Sequence, residues 1–179
     1  MVKKIHILGA AGSGTTTLGL ELAKELGFKH FDTDDFLWED TNPPYQQKRS
    51  IPKREELLSI ELESDSNLVL TGSMVGWGEK LAPYFDLAIY LWIPQDVRIS
   101  RLRERERNKF GSEIDVGGKM HKTHLDFIEW ASEYDTGDEN MRSRRYHALW
   151  LDKLNCKVLK LEGLYELDEK INMIKECLD

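Results

Sequence analysis

Glycine and hydroxyl side chains are concentrated in one short segment near the start of the chain. Three glycines and four serine or threonine residues occur there within nine positions. Glycines let a backbone bend so that its N–H groups converge on an anion, and hydroxyl oxygens are suitable ligands for Mg²⁺. This chemistry predicts a phosphate-binding loop made of Gly9, Ala10, Ala11, Gly12, Ser13, Gly14, Thr15, Thr16 and Thr17.

The spacing of this segment is G-x-x-x-x-G-T-T, which differs at one defined position from the phosphate-loop pattern G-x-x-x-x-G-K-[ST]. Thr15 occupies the lysine position, and a neutral hydroxyl cannot place a positive charge beside the β- and γ-phosphates. Thr16 occupies the position of the Mg²⁺-binding hydroxyl. We expect phosphate binding, and the alternative is a glycine-rich turn between a strand and a helix that binds nothing.

Five carboxylates and no basic residue occur between positions 32 and 40. Asp32 and Asp34 follow a predicted strand, which places them at the sheet edge where ligands bind in open α/β sheets. They could face Mg²⁺ and its water molecules, or a hydroxyl that is to be phosphorylated. The alternative is a capping cluster ahead of a short helix, with Asp34 or Asp35 as the capping residue. Three aromatic residues nearby either line an acceptor pocket or pack beneath a loop: Phe36, Trp38 and Tyr45.

Arginines flank a segment, residues 108–140, that is rich in glycine and charge and poor in helical periodicity. Arg98, Arg101 and Arg105 share one face of a predicted helix before it, and a second cluster follows it. This arrangement is typical of a lid that brings arginines onto transferring phosphates, so we predict a lid insert at 108–140. The alternative is a solvated face on which neighbouring glutamates neutralise the arginines. The arginines predicted to act on phosphates are Arg101, Arg105, Arg142 and Arg145.

The elements that must position these residues alternate between short apolar runs and helical patterns. Such alternation predicts one α/β domain, residues 1–179, with a parallel sheet. The predicted strands cover residues 4–8, 28–31, 67–70, 87–93 and 156–161. The predicted helices cover residues 16–26, 53–63, 95–107, 141–154 and 167–178, with one or two helical turns at 125–131 and a loop at 41–51.

The composition excludes several classes of protein. The 179 residues are 40% hydrophobic and 32% charged, as in a globular domain, and the net charge of −7 disfavours nucleic-acid binding. Apolar runs are shorter than the roughly 18 residues of a membrane span, and the first residues do not resemble a signal peptide. We therefore expect a cytoplasmic protein without a membrane or nucleic-acid partner. Cys156 and Cys177 are too few for a disulfide framework or a cysteine-based zinc site.

Taken together, these features resemble the adenylate kinase and shikimate kinase group of P-loop phosphotransferases. The resemblance is carried, in chain order, by the phosphate loop, Asp32-Thr33-Asp34, Thr71-Gly72 and the two arginine clusters. Within that group the chain is most similar to adenylate-kinase-like proteins with a G-T-T-T phosphate loop. The resemblance implies a P-loop NTPase fold with a five-stranded parallel sheet in the order 2-3-1-4-5 between helices. It also implies ATP, Mg²⁺ and a small-molecule acceptor, with nucleotides among the candidates.

The resemblance also implies a role for each candidate residue. The loop would hold the donor phosphates, Thr16 and Asp32 would lie at Mg²⁺, and Asp34 would contact the acceptor hydroxyl. Arginines of the two clusters would belong to the lid. The chain departs from the group in two places: it lacks the loop lysine, and it lacks the D-G-[FY]-P motif of nucleoside-monophosphate kinases after its third strand.

Two functions remain open from the sequence. The first is an ATP-dependent kinase that acts on a small molecule. The second is a regulatory protein that binds a nucleotide or phosphate and lost catalysis together with the lysine. The sequence indicates no particular oligomeric state.

Overall fold

Five strands of the described residues, 3–41 and 46–178, form one parallel sheet in the computed structural model. The strands are β1 (Lys4–Gly9), β2 (Lys29–Asp32), β3 (Leu68–Thr71), β4 (Leu87–Trp92) and β5 (Lys157–Glu162). The helices are α1 (Thr15–Leu26), α2 (Thr33–Leu37), α3 (Ile51–Glu63), α4 (Gln95–Phe110), α5 (His121–Ser132), α6 (Arg144–Leu151) and α7 (Leu167–Leu178). Short 3-10 turns cover Glu79–Tyr84, Gly111–Ile114 and Glu133–Asp135.

The strand order β2-β3-β1-β4-β5 confirms the topology that the resemblance predicted. Strand β1 lies in the centre, with Ile5 opposite Val69 of β3 and Leu87 of β4. Every residue of β1 is buried, as expected for a parallel strand that is covered on both faces. Because the carboxyl ends of parallel strands meet at one edge, the segments after β1, β2 and β3 lie close together there.

Side chains of β1 alternate between two cores on opposite faces of the sheet. Ile5 and Ile7 pack against the apolar sides of α1 and α7. Leu8 belongs to the opposite core, which also contains Leu58 of α3 and Trp150 of α6. Because both faces of the central strand are packed, the loop that follows it leaves the sheet from a rigid support.

Residues 108–140 are more regular than the sequence predicted. Helix α5 has 12 residues, where only one or two turns were expected. A third, smaller core fixes it, because Ile128 and Ala131 pack against Ile99 and Leu102 of α4. The apolar residues of α5 are concentrated in its second half, so the helical period was too short to extend the prediction to its start. The lid function of 108–140 stays a prediction.

Two further features concern the cysteines and the length of the helices. Cys156 and Cys177 are both free thiols. In the parts of the chain that the structure describes, every helix is too short or too polar to span a bilayer.

Candidate active site

The phosphate loop runs from the end of β1 into the start of α1 and contains two left-handed glycines. Gly12 has φ 82° and Gly14 has φ 94°, values that residues with a side chain rarely adopt. The Ser13 N–H donates to the Ala10 carbonyl at 3.1 Å. No side chain of the described residues caps the first turn of α1. The N–H groups of that turn lack intrahelical acceptors and lie at the positive end of the helix dipole, which suits a phosphate.

The loop also packs too closely on its neighbours to admit side chains at two glycines. A Cβ atom on Gly9 would lie 2.5 Å from the carbonyl oxygen of Leu91 in β4. A Cβ atom on Gly12 would lie 2.7 Å from the carbonyl oxygen of Arg98 in α4. The loop is therefore held between β4 and α4, and its shape depends on both.

Hydroxyl and carboxylate oxygens meet beside the loop. The Thr16 hydroxyl donates to Asp32 Oδ2 at 3.1 Å, and the Thr71 hydroxyl donates to the same oxygen at 2.9 Å. Mg²⁺ prefers oxygen ligands and is commonly held by one or two protein groups together with substrate phosphates and water. The described residues contain no group of three or more His, Cys, Asp or Glu side chains that could hold a metal alone. Thr16 and Asp32 thus fit Mg²⁺ that arrives with a phosphate ligand.

Asp32 also caps a helix, so the capping alternative holds for a different aspartate from those predicted. Asp32, and not Asp34 or Asp35, is the N-cap of α2, and its Oδ1 accepts from the Asp34 N–H at 3.0 Å. The Asp35 carboxylate accepts in return from the Asp32 N–H at 3.1 Å. Oδ1 of Asp32 therefore caps the helix, while Oδ2 accepts from Thr16. Capping and metal binding are compatible in this residue.

Asp34 lies at the open side of the site, within range of the Arg142 charge. Its carboxylate is exposed to solvent, but the surrounding protein removes part of its hydration, and this effect together with the Asp32 charge raises the pKa of Asp34. The Arg142 guanidinium opposes that shift. Arg142 lies 5.7 Å from the Trp130 ring centre. The Arg142 charge therefore acts on both Asp34 and Asp32, and the predicted role of Arg142 in a lid stays a prediction.

Arg142 precedes helix α6 and is not part of it. The predicted helix began at residue 141, whereas α6 begins at Arg144 with Ser143 as its N-cap. The Ser143 hydroxyl accepts from the Tyr146 N–H at 3.0 Å and donates to the Asp138 carbonyl at 2.6 Å. The buried Ser143 has an extended backbone and fixes where the helix begins, so Arg142 lies in the bend before α6.

The arginines of α4 differ in their surroundings. Arg101 lies near the loop, with its Nη1 4.0 Å from the position of a Cβ atom on Gly14. Arg101 and Arg105 line an open pocket of about 480 Å³ together with Glu104, Asn108 and Lys109. Arg98 is instead completely buried. Helical spacing placed Arg98, Arg101 and Arg105 on one face of α4, but it did not show which of them would be buried.

Two groups of predicted residues have no described contact with the loop. Arg145 pairs with Glu139 at 2.7 Å on the surface. Phe36 is buried in the core that contains Leu58, which matches the packing alternative. Trp38 forms an antiparallel bridge with Lys48, whose ammonium lies 5.3 Å from the Trp38 ring centre. The Trp38 side chain does, however, hydrogen-bond with the Asp34 carboxylate at the site. Tyr45 lies outside the described residues.

Sequence reasoning did not find a buried chain of hydrogen bonds behind the site. The imidazole of His147 lies 2.9 Å from the Ser73 hydroxyl through Nε2 and 2.7 Å from the Tyr134 hydroxyl through Nδ1. The Tyr134 hydroxyl lies 2.9 Å from that of Tyr90. Burial and the nearby Arg142 charge lower the pKa of His147 to about 3, so the imidazole is neutral. These residues come from four distant segments, and no local pattern in the sequence marks them.

Comparison with known proteins identifies relatives over most of the chain. A family profile described as "AAA domain" matches residues 5–121. The chain is 43% identical over 178 residues to "Uncharacterized protein YqaC" of Bacillus subtilis (strain 168), covering 99% of this chain and 98% of that protein. It is 27% identical over 202 residues to "Probable gluconokinase" of Xenopus tropicalis, covering 97% of each. A cytidylate kinase of Pyrococcus abyssi is 34% identical over 112 residues, or 57% of this chain and 60% of the enzyme.

Solved structures show the same fold at low sequence identity. The shikimate kinase of Acinetobacter baumannii, solved in complex with shikimate, superposes with a TM-score of 0.57 at 16% identity. The match covers 99% of this chain and 93% of the enzyme. The fold of this chain is therefore that of the P-loop kinases.

Proposed function

This chain belongs to the AAA domain family of P-loop proteins, and we propose that it transfers the terminal phosphoryl group of Mg²⁺-ATP to a hydroxyl of a small anionic acceptor. The kinase-like fold and the kinase relatives support a small-molecule or nucleotide kinase activity in general. The observation that carries the finer proposal is the meeting of Thr16, Asp32, Asp34 and Arg142 beside the phosphate loop.

The donor side is formed by the loop and its two oxygen-bearing partners. The N–H groups of the loop and of the first turn of α1 bind the donor phosphates. Thr16 and Asp32 would hold Mg²⁺, which would supply positive charge against that of the donor phosphates. Arg101 lies close enough to Gly14 to add positive charge at the side where Thr15 provides none.

Asp34 is the proposed base of the reaction. It accepts the proton of the acceptor hydroxyl as that oxygen bonds to the γ-phosphorus. The bond between the γ-phosphorus and the oxygen that bridges to the β-phosphate breaks, and ADP leaves. A carboxylate with a raised pKa is a stronger base once ionised, so the loss of hydration at Asp34 supports this role.

Arg142 indicates the chemical class of the acceptor. Its guanidinium makes no hydrogen bond within the described parts of the chain, although it lies against the Trp130 ring and faces Asp34. A guanidinium presents parallel N–H groups that match a carboxylate or phosphate. We therefore propose an acceptor that carries a hydroxyl for Asp34 and an anionic group for Arg142. The gluconokinase relative is named for a substrate of this kind.

The test compares Asp34→Asn with Asp40→Asn, a second exposed aspartate that we place outside the site. ADP formation is measured with Mg²⁺-ATP over a panel of hydroxylated carboxylates, sugar phosphates and nucleoside monophosphates. We expect Asp34→Asn to lower kcat by roughly 100-fold or more, as for loss of a general base. The asparagine variant should keep or slightly raise the melting temperature, because a raised pKa means that ionised Asp34 opposes folding. Asp40→Asn should retain wild-type turnover.

The outcomes separate this proposal from the regulatory alternative. Turnover that survives in Asp34→Asn would remove Asp34 from the reaction. Tight ATP binding by the wild-type protein without ADP formation on any acceptor would favour the regulatory protein, for which the threonine at position 15 is the supporting observation.

A further inference from the structure

Arg98 is a charged side chain that is completely buried next to the phosphate loop. Its Nη1 donates to the carbonyl oxygens of Ala131, at 3.1 Å, and Ala11, at 3.4 Å. Its Nη2 donates to Asp135 Oδ2 at 2.8 Å. The Tyr134 ring centre lies 5.1 Å from the guanidinium carbon. Burial of a guanidinium is costly unless its partners compensate, and here the partners come from the loop, the end of α5 and the turn that follows it.

The contact with Ala11 fixes the direction of a peptide group in the loop. In a trans peptide the C=O and the following N–H point in opposite directions. Because the Ala11 carbonyl is turned toward the Arg98 guanidinium, the Gly12 N–H points away from that guanidinium. No backbone acceptor for this N–H is found among the described residues.

Helix α4 holds the same peptide by direct packing. A Cβ atom on Gly12 would lie 2.7 Å from the Arg98 carbonyl oxygen and 3.0 Å from Leu102 Cγ. Gly12 also has φ 82°, so the backbone there adopts a conformation that depends on outside support. Packing fixes where this peptide lies, and the guanidinium fixes how it is turned.

We propose that Arg98 is a positioning residue of the phosphate loop, which keeps the Gly12 N–H directed at the bound phosphate. The inference rests on the proposed function and adds to it a residue that touches neither substrate. A charged donor on the Ala11 carbonyl also polarises the peptide, which makes the Gly12 N–H a stronger donor. This effect matters more in a loop whose own side chains carry no charge.

The same guanidinium ties the loop to residues 131–135. Asp135 Oδ1 accepts from Trp92 Nε1 at 2.6 Å, so the turn is also fixed to the end of β4. Arg98 therefore sets the loop against a support made from both the sheet and the last turn of α5.

The test uses Arg98→Lys, with Asp135→Asn as the matched control. Lysine keeps the positive charge but lacks the planar guanidinium that contacts two carbonyls and Asp135 together. Asp135→Asn removes the ion pair and leaves both carbonyl contacts in place. Binding of Mg²⁺-ATP and of pyrophosphate is measured by calorimetry well below each melting temperature. We expect Arg98→Lys to weaken binding of both by tenfold or more. Asp135→Asn should lower the melting temperature and change affinity by less than threefold.

Equal affinities for the wild-type protein and folded Arg98→Lys would overturn the inference, as would an equal loss in Asp135→Asn. If Arg98→Lys does not fold, the inference is tested by nuclear magnetic resonance on the wild-type protein. On addition of pyrophosphate, the chemical-shift change of the Gly12 amide should be among the largest in the chain. A Gly12 amide signal that does not move when the anion binds would contradict the inference. A wild-type protein that binds neither probe would contradict the proposed function, and this inference with it.

Discussion

Thr15 is the residue at which the loop departs most from its pattern, because it puts a hydroxyl where an ammonium is expected. In the structure the Arg101 guanidinium lies nearby, with Nη1 4.0 Å from the Cβ position of Gly14. An arginine so placed can supply the positive charge that the loop lacks, although it comes from another helix. The site therefore does not need a cation at position 15 if Arg101 engages the phosphates.

The position of Arg101 predicts the effect of Thr15→Lys. The new ammonium would crowd a place that Arg101 already serves, so affinity for Mg²⁺-ATP should stay level or fall. Titration calorimetry on the wild-type protein and the variant measures the change. Leu20→Lys is the control, because it adds the same charge at an exposed position further along α1. A gain of tenfold or more, about 1.4 kcal/mol, in Thr15→Lys alone would show that the native loop lacks a charge.

The sequence predicted the site residues unevenly, for physical reasons. Thr16, Asp32 and Asp34 follow strands, and the parallel sheet brings strand ends together, so their meeting could be foreseen. Arg98 could not be distinguished from Arg101, because its burial depends on residues 131–135 folding back over α4. The loop residues follow from local spacing alone, and their binding of phosphate stays a prediction.

Helix α5 shows how an element can be both anchored and exposed. Its second half is buried through Ile128 and Ala131, whereas residues 115–119 before it are mostly exposed. The two parts should therefore differ in stability if residues 108–140 act as a lid. The movable portion would be the part before α5, and the second half of α5 would remain on α4.

Hydrogen exchange tests this division. Amides of 111–120 should exchange fast in the free protein and slow by tenfold or more with Mg²⁺-ATP, because closure over the nucleotide removes them from water. Amides of 128–132 should be protected in both states. Exchange at 111–120 that no nucleotide changes would count against a lid in this protein.

Among the secondary-structure elements, strands were predicted more accurately than helices. Strand β4 and all but the last residue of β3 are continuous apolar runs, as burial on both faces favours, and β1 contributes Ile5, Ile7 and Leu8 around a buried His6. Helix α2 was foreseen only as the short helix of the capping alternative, because its five residues have no measurable period and depend on the capping box of Asp32 and Asp35.

Across the whole molecule, two buried histidines make stability depend on pH. Burial lowers the pKa of His6 to about 4 and that of His147 to about 3. Below pH about 6.5 the unfolded chain binds protons that the folded protein does not, so stability falls as the pH decreases toward these values. Each histidine should contribute about 1.4 kcal/mol per pH unit between roughly pH 6 and 4.5.

Denaturant unfolding at pH 7, 6 and 5 measures this dependence. His6→Gln keeps a donor for the Gly72 carbonyl, which His6 Nε2 contacts at 2.8 Å, but cannot titrate. The variant should be less stable at pH 7 and should lose less stability per pH unit below pH 6 than the wild-type protein. Parallel stability curves for the two proteins would show that His6 binds protons equally in the folded and unfolded states, against the lowered pKa.

The central position of β1 has a consequence for how the protein is made. Of the five strands this one leaves the ribosome before the others, yet its neighbours β3 and β4 begin only at Leu68 and Leu87. Gly12 then packs on α4, which is later still in the chain. A nascent chain that ends before residue 98 thus carries every residue of the phosphate loop but not the surface that shapes it. Nucleotide binding during synthesis would mark the moment at which the sheet closes around its earliest strand.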